Sequence, residues 1–178
     1  QSFNLHELLD TVLSFERSSH PGLRFTAYYD ASLPDIEADR DKLHQVFLNL
    51  VRNASEACPA DGRVRVLTRH CAHWELAGTN LDPTRRYILV SIEDEGPGIP
   101  EELSKNIFKP LFSTKKQGTG LGLSISFRLV ESHGGQLRYQ PSERSGACFQ
   151  VILPESQSEP LEENSPNFVY QDLRKEIS

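Results

Sequence analysis

The sequence IEDEGPGI, residues 92–99, decides the fold. It ends a predicted strand in which Ile88, Val90 and Ile92 share one face by the two-residue period of a β-strand, and Asp94 falls on that same face. Burying a carboxylate among apolar side chains is costly unless a donor satisfies it, so Asp94 is predicted to have a specific partner. The glycines that follow allow close approach of the backbone. Taken alone, an aspartate and a glycine at a strand end are also typical of an ordinary turn, and that interpretation stays open.

A polar stripe runs along the predicted helix 42–58, whose other positions are strongly apolar. At about 100° per residue, Asn53 lies about 40° from Asn49 and Glu56 about 20° from it on the other side, and Arg52 borders this stripe. Asparagine is a poor helix former, so two asparagines one turn apart indicate a role. Amide oxygens suit Mg²⁺ held together with water and phosphate. A solvated helix face is the alternative.

The glycine-rich sequence GTGLGL, residues 118–123, opens the predicted helix 119–133. Uncovered backbone N–H groups at a helix N-terminus favour anions, so this segment predicts phosphate binding. Its spacing matches neither the dinucleotide-binding fingerprint nor the Walker loop. Close packing of the glycines against a neighbouring helix is the alternative. The long connection 97–118 before it is predicted to be a lid. The cations of this connection that lie near the glycines are Lys109, Lys115 and Lys116.

The order of the predicted elements indicates an α+β fold, a two-layer α/β sandwich with a mixed sheet and its helices on one face. Residues 35–39 are predicted to be a loop, after which Asp39 or Asp41 caps the helix that follows. The remaining predicted elements are a helix over 4–16 and strands over 23–29, 63–71, 86–94, 136–140 and 147–153.

Composition and charge exclude several classes of protein. The 178 residues carry a formal charge of −6 without a basic stripe, which argues against nucleic acid as a partner. Three cysteines exclude a disulfide scaffold, and no apolar run reaches the roughly 18 residues of a membrane span, so a cytoplasmic domain is expected. Because the chain has no methionine, even at position 1, we expect a piece of a longer protein.

Together, the order and spacing of these segments resemble the catalytic, ATP-binding domain of bacterial two-component sensor histidine kinases. This family belongs to the superfamily of gyrase, heat-shock chaperone, kinase and mismatch-repair ATPases, and the resemblance is strongest to the nitrogen-regulation sensor kinases. The match covers about residues 33–154. The segments that carry it are an asparagine box at 49–54, a first glycine box at 94–99, a phenylalanine box at 108–115, a second glycine box at 118–123 and a final strand at 146–154.

The resemblance implies the Bergerat fold, with Mg-ATP lying between helices under an ATP lid. It implies that Asp94 accepts from the adenine amino group, that Asn53 ligates Mg²⁺ and that Asn49 contacts the phosphates. The other residues expected to bind ATP are Arg52, Gly96, Gly98, Ile99, Thr114, Lys115, Gly118, Thr119, Gly120, Leu121, Gly122 and Leu123. Residues 1–22 are expected to be a helix and linker from a missing dimerisation domain, 23–154 the catalytic domain, and 155–178 a flexible acidic tail.

Two departures from the family pattern concern the site. Ala147 and Cys148 stand where a threonine often supplies a hydroxyl on the adenine side. Glu56 stands where some relatives carry a basic residue near the terminal phosphate, and Arg52 is expected to compensate.

Asn49 bears on the reaction, because hydrolysing relatives place a glutamate there as a general base, and an amide cannot serve as one. A histidine kinase is therefore expected, which transfers the γ-phosphoryl group to a histidine on a separate dimerisation domain of the same protein. That domain would form a homodimer and pass the phosphoryl group to a response regulator. The alternatives are a true ATPase, a non-catalytic nucleotide-binding or interaction module, and a serine-directed kinase.

Overall fold

The computed structural model describes residues 1–113, 118–144 and 146–156. Its strands are β1 Ser2–Phe3, β2 Arg24–Tyr29, β3 Ile36–Glu37, β4 Arg63–His70, β5 Tyr87–Asp94, β6 Gln136–Pro141 and β7 Ala147–Pro154. Its α-helices are α1 Leu5–Ser19, α2 Arg40–Ala57, α3 Glu101–Ser104 and α4 Gly122–Ser132, and a short 3₁₀ helix covers His73–Leu76.

Five strands form one mixed sheet in the order β2-β4-β5-β7-β6. Strand β2 runs parallel to β4, whereas the β4–β5, β5–β7 and β6–β7 pairs are antiparallel. Strand β5 is therefore central, which agrees with its nearly continuous burial. The predicted mixed sheet is confirmed.

One face of the sheet is covered by α1, α2 and α4, and the main hydrophobic core lies between them and the sheet. Helix α1 contributes an apolar stripe to this core, as does α2. The fully or almost fully buried members of the two stripes are Leu5, Leu8, Leu9, Val12 and Leu13 on α1, and Leu43, Val46, Phe47, Leu50 and Val51 on α2. Residues on both sides of the predicted domain boundary at 22 thus share one core, and the boundary itself stays a prediction.

The helix that carries the polar stripe begins where the sequence suggests. The Asp39 side chain caps α2 by accepting from the backbone N–H of Lys42 at 3.1 Å, so Asp39 rather than Asp41 is the cap. Helix α4, by contrast, begins at Gly122 and not at 119. Gly120 has a φ of +70°, which keeps the preceding loop out of the helix.

Four short elements were not predicted, namely β1, β3, α3 and the 3₁₀ helix. Strand β3 lies in the expected loop 35–39 and pairs with β1, and α3 lies in the expected lid. Two to four residues are too few for a periodic pattern to indicate an element. The 3₁₀ helix lies on the face opposite the α-helices, where Glu75 pairs with Arg69 at 2.7 Å. A second small cluster, containing Leu76, Tyr87, Leu89 and Ile152, is buried there.

Within the described residues, no helix is both long and apolar enough to cross a membrane.

Candidate functional site

A cavity of about 790 Å³ lies between α2, the end of β5, the 97–113 segment, the start of β7 and the N-terminus of α4 with the loop before it. The described residues that line it are Asn49, Asn53, Glu56, Ala57, Asp94, Pro97, Gly98, Ile99, Ile107, Phe112, Ser113, Gly118, Thr119, Gly120, Gly122, Leu123, Ala147 and Phe149. The three sequence segments singled out above, which are far apart in the chain, thus meet at one cavity.

Asp94 forms the buried end of the cavity and is 3% exposed. Its Oδ1 accepts from the backbone N–H of Gly96 at 2.8 Å and from that of Ala147 at 3.3 Å. Burial raises the pKa of this carboxyl, and the two backbone donors oppose that shift. Both donors use the same oxygen, so the carboxylate is held in a fixed orientation while it lines the cavity.

Glycines allow this end to close around Asp94. A β-carbon on Gly96 would lie 2.6 Å from the carbonyl oxygen of Ala57, at the end of α2. Gly146 has a φ of +84°, and a β-carbon there would overlap the carbonyl oxygen of Asp94. Gly146 was not among the predicted site residues, although it opens the final-strand motif. The sequence did mark this position, because Gly146 directly precedes the predicted strand 147–153.

The other end of the cavity is formed by α2 and α4. The amide nitrogen of Asn49 donates to Ser126 Oγ at 3.1 Å, and a β-carbon on Gly122 would overlap Asn49 Oδ1. The amide oxygen of Asn49 therefore faces the N-terminus of α4. Asn53 and Glu56 continue the same stripe along the cavity. The polar stripe thus forms a wall of the cavity, in which Asn49 and Asn53 are half-buried and Glu56 is exposed.

Apolar side chains form the walls between these ends. They are Ile99, Ile107, Phe112, Leu123 and Phe149. Phe108 packs next to these walls: its ring centroid lies 5.2 Å from that of Phe127 and 6.3 Å from that of Phe149. Ile107, Phe112 and Phe149 were not predicted as site residues. Phe112 lies in the phenylalanine box, and Phe149 faces the core by strand alternation, so both had a sequence signal.

The structure does not bring every predicted residue to the cavity. Arg52 lies outside its lining, because its Nε contacts the buried Glu16 carboxylate of α1 at 3.4 Å. Gly96 is buried and lies outside the lining, and Leu121 also lies outside it with 39% of its surface exposed. Arg52 was expected to compensate for the basic residue missing at position 56. Among the described residues it contacts Glu16 instead. The predicted sites Thr114 and Lys115 lie outside the described residues.

Ala147, the residue in place of the expected threonine, lines the cavity and offers only its backbone N–H to Asp94. Its neighbour Cys148 is outside the described lining and is buried, and burial raises the pKa of its thiol to about 12. No side-chain hydroxyl is therefore supplied by these two positions.

This arrangement fits a nucleotide and Mg²⁺. A buried carboxylate can accept from an exocyclic amino group, and flat apolar walls suit a base. At the far end, the amide oxygen of Asn49 lies beside a glycine-rich helix N-terminus, and Asn53 lines the same cavity. Amide oxygens suit Mg²⁺, and the backbone N–H groups of a helix N-terminus suit phosphate oxygens.

Comparison with known proteins agrees with this chemistry. The family model described as "Histidine kinase-, DNA gyrase B-, and HSP90-like ATPase" matches residues 38–157. The catalytic domain of histidine kinase ThkA is 34% identical, with a TM-score of 0.74, over 87% of this chain and 95% of that domain. The chain therefore belongs to this ATPase family, among the catalytic domains of histidine kinases. The predicted family and the predicted two-layer fold are confirmed.

Longer relatives share the same region. The sensory histidine kinase/phosphatase NtrB of Azospirillum brasilense is 38% identical over 85% of this chain. The signal transduction histidine-protein kinase AtoS of Escherichia coli is 36% identical over 86% of it. This chain spans 38% of that NtrB and 24% of AtoS.

Proposed function

We propose that the chain binds Mg-ATP in this cavity and transfers the γ-phosphoryl group to a histidine on a dimerisation domain of the same full-length protein. The observation that carries the proposal is the order of groups along α2. Its C-terminal end meets the segment that holds Asp94, its middle presents Asn49 against Gly122 at the start of α4, and Asn53 lines the cavity between them.

In this proposal, Asp94 accepts from the adenine amino group, and the backbone N–H groups of Gly118, Gly120 and Gly122 donate to phosphate oxygens. Asn53 would hold Mg²⁺ through its amide oxygen, and the bound ion would neutralise charge on the phosphates. Asn49, fixed by Ser126, keeps its amide oxygen toward the phosphate side. The acceptor nitrogen forms a bond to phosphorus, the bond from phosphorus to the ADP oxygen breaks, and the histidine loses its proton.

ATP hydrolysis is the second candidate, since the family also contains ATPases. A water molecule attacking the γ-phosphorus needs a base at that end of the cavity. The position is held by Asn49, whose amide cannot take a proton. The carboxylate of Glu56 lies two helical turns further on, toward the Asp94 end, which favours transfer to an external acceptor.

Partners follow from the same proposal. A solved structure of histidine kinase ThkA in complex with response regulator protein TrrA is 32% identical to this chain, with a TM-score of 0.68 over 88% of it. We propose that a response regulator likewise receives the phosphoryl group here, that the full-length protein is a homodimer, and that this domain is cytoplasmic.

Two measurements test the proposal. Calorimetric titration with ADP and a non-hydrolysable ATP analogue, with and without Mg²⁺, should show binding that other nucleoside diphosphates do not match. The chain incubated with γ-labelled ATP should then label a separately produced dimerisation domain of the same protein in an acid-labile, base-stable form. Acid-labile labelling of the chain by itself would contradict a separate acceptor, and steady release of phosphate without an acceptor would favour the ATPase.

A further inference from the structure

Tyr139 is not among the described residues that line the cavity, but it contacts two residues that are. On the edge strand β6 it lies directly opposite Phe149 of β7, and the centroids of the two rings are 5.5 Å apart. Its hydroxyl group is hydrogen-bonded to the backbone of Ile99. Because Phe149 and Ile99 are both apolar walls of the cavity, this one side chain joins two walls from outside.

The hydroxyl of Tyr139 binds both polar backbone groups of Ile99. The Ile99 N–H donates to the hydroxyl oxygen at 3.3 Å, and the hydroxyl donates to the Ile99 carbonyl at 3.4 Å. One hydroxyl can make both bonds, since it has one proton to donate and two lone pairs. Pro97 and Pro100 have no N–H, so Gly98 and Ile99 are the backbone donors of this short segment. Tyr139 therefore holds one of its two donors.

Ile99 belongs to the Asp94 end of the cavity. A β-carbon on Gly98 would lie 3.2 Å from the carbonyl oxygen of Gly146, and one on Gly146 would overlap the carbonyl oxygen of Asp94. The chain is thus closely packed up to Gly98 and then leaves the sheet toward α3. Ile99 directly follows this packed turn, and the hydroxyl of Tyr139 fixes its backbone there.

The position of this wall affects binding because an apolar slot for a base binds more tightly when its walls are already in place. The two hydrogen bonds, at 3.3 and 3.4 Å, are at the long end of the usual range, so each is weak. We therefore expect their loss to weaken binding several-fold and not to abolish it.

We propose that Tyr139 is a positioning residue for nucleotide binding, whose hydroxyl holds the Ile99 wall in place against the base. This inference rests on the proposed function and deepens it, because it names a group outside the cavity that sets how tightly the base end binds.

Tyr139→Phe tests the inference, because it removes the hydroxyl and keeps the ring against Phe149. Calorimetric titration should show about fivefold weaker binding of ADP, equally with and without Mg²⁺, since the change acts on the base and not on the phosphates. Tyr28→Phe is the matched control. Tyr28 lies on β2 at the opposite edge of the sheet, is 56% exposed and is not among the described lining residues, so this variant should bind ADP like the wild-type chain.

Two further readouts separate positioning from a general effect on the fold. Amide hydrogen exchange in the ligand-free Tyr139→Phe variant should be about tenfold faster at Ile99 and unchanged at Gly96, whose N–H binds Asp94. In phosphotransfer from labelled ATP to a separately produced dimerisation domain, the variant should raise KM for ATP about fivefold and leave kcat unchanged, because the lost interaction is the same in the ground state and the transition state.

The inference is overturned if Tyr139→Phe binds ADP within about twofold of the wild-type chain. It is also overturned if the loss appears only with Mg²⁺, or if kcat falls while KM stays unchanged, since either result would place the effect at the phosphate end. Faster exchange at Gly96 as well as at Ile99 would mean that the variant loosens the whole region, which equally contradicts a positioning role. Failure of the wild-type chain to bind even ADP would overturn the proposed function itself, so the two failures are distinguishable.

Discussion

The two ends of the cavity are built differently. At the Asp94 end, a buried carboxylate is fixed by two backbone donors, and glycines on either side pack backbone against backbone. At the glycine-rich end, the groups that face the cavity are half-buried or exposed and belong to α2, α4 and the loop before α4.

Because of this difference, we expect the two ends of the cavity to contribute to nucleotide binding in different ways. The Asp94 end is part of the packed core, so its shape is fixed before a ligand binds. We therefore expect a single substitution there to abolish most of the nucleotide affinity or the fold. The glycine-rich end is shaped by side-chain amides and loop backbone, so single changes there should weaken binding in smaller steps. Substitutions at the two ends test that division.

Asp94→Asn should have the largest effect on binding. The substitution keeps the shape of the side chain but replaces acceptor capacity with a donor, so the adenine amino group would meet an N–H. We expect nucleotide affinity to fall at least 100-fold, about 3 kcal/mol, in calorimetry. Asp82→Asn, in the exposed loop before β5, is the control with unchanged affinity. Retention of affinity within tenfold would show that this end does not select the base.

Gly146→Ala should destabilise the fold by about 2–4 kcal/mol, because it combines a positive φ with overlap against the Asp94 carbonyl. Gly78 is a matched control, since its φ of +77° is similar but a β-carbon there meets nothing within 4 Å. Gly78→Ala should cost only about 1 kcal/mol. Urea unfolding measures the free energy of unfolding of both variants. Equal losses would mean that the close packing around Gly146 contributes nothing beyond the cost of its positive φ.

Asn53→Ala should produce an intermediate loss at the opposite end. We expect about tenfold weaker binding of Mg-ATP and little change for ADP without Mg²⁺, because the amide oxygen proposed to ligate Mg²⁺ is removed. The neighbouring Arg52→Ala is the control, since Arg52 contacts Glu16 and lies outside the lining. A metal-independent loss in Asn53→Ala, or a similar loss in Arg52→Ala, would contradict this assignment.

Much of the fold could be predicted from the sequence because its main elements are long and periodic. Helix α2 has apolar residues at helical spacing and a capping Asp39, and β5 alternates up to Asp94. Strands β1 and β3, with two residues each, carry no such pattern and depend on each other for pairing. Helix α3 is likewise held by context more than by periodicity.

The site was predictable to the extent that its residues are chemically unusual. Asparagines in an apolar helix, an acid on a buried strand face and clustered glycines all indicate function, and the structure brings them to one cavity. Arg52 was misplaced because its partner, Glu16, is distant in sequence and nothing in the helix pattern reveals that α1 lies on that side. The apolar wall residue Ile107 has no such signal, because its side chain looks like an ordinary core residue in the sequence.

The smallest expected effect concerns stability at the Asp94 end. Burial raises the pKa of Asp94 in the folded chain, so folding favours the protonated carboxyl. The associated stabilisation is fully present below the unfolded-state pKa of about 3.9 and is lost as the pH rises through the folded-state pKa. Asn is neutral throughout, so Asp94→Asn should have a higher free energy of unfolding than the wild-type chain at pH 7. The difference should shrink as the pH approaches about 4, as measured by urea unfolding over this range. A variant that loses stability relative to the wild-type chain as the pH rises from about 4 to 7 would mean that the two backbone donors outweigh burial and that the fold prefers the ionised carboxylate. A difference that does not change with pH would mean that folding does not shift the pKa of Asp94.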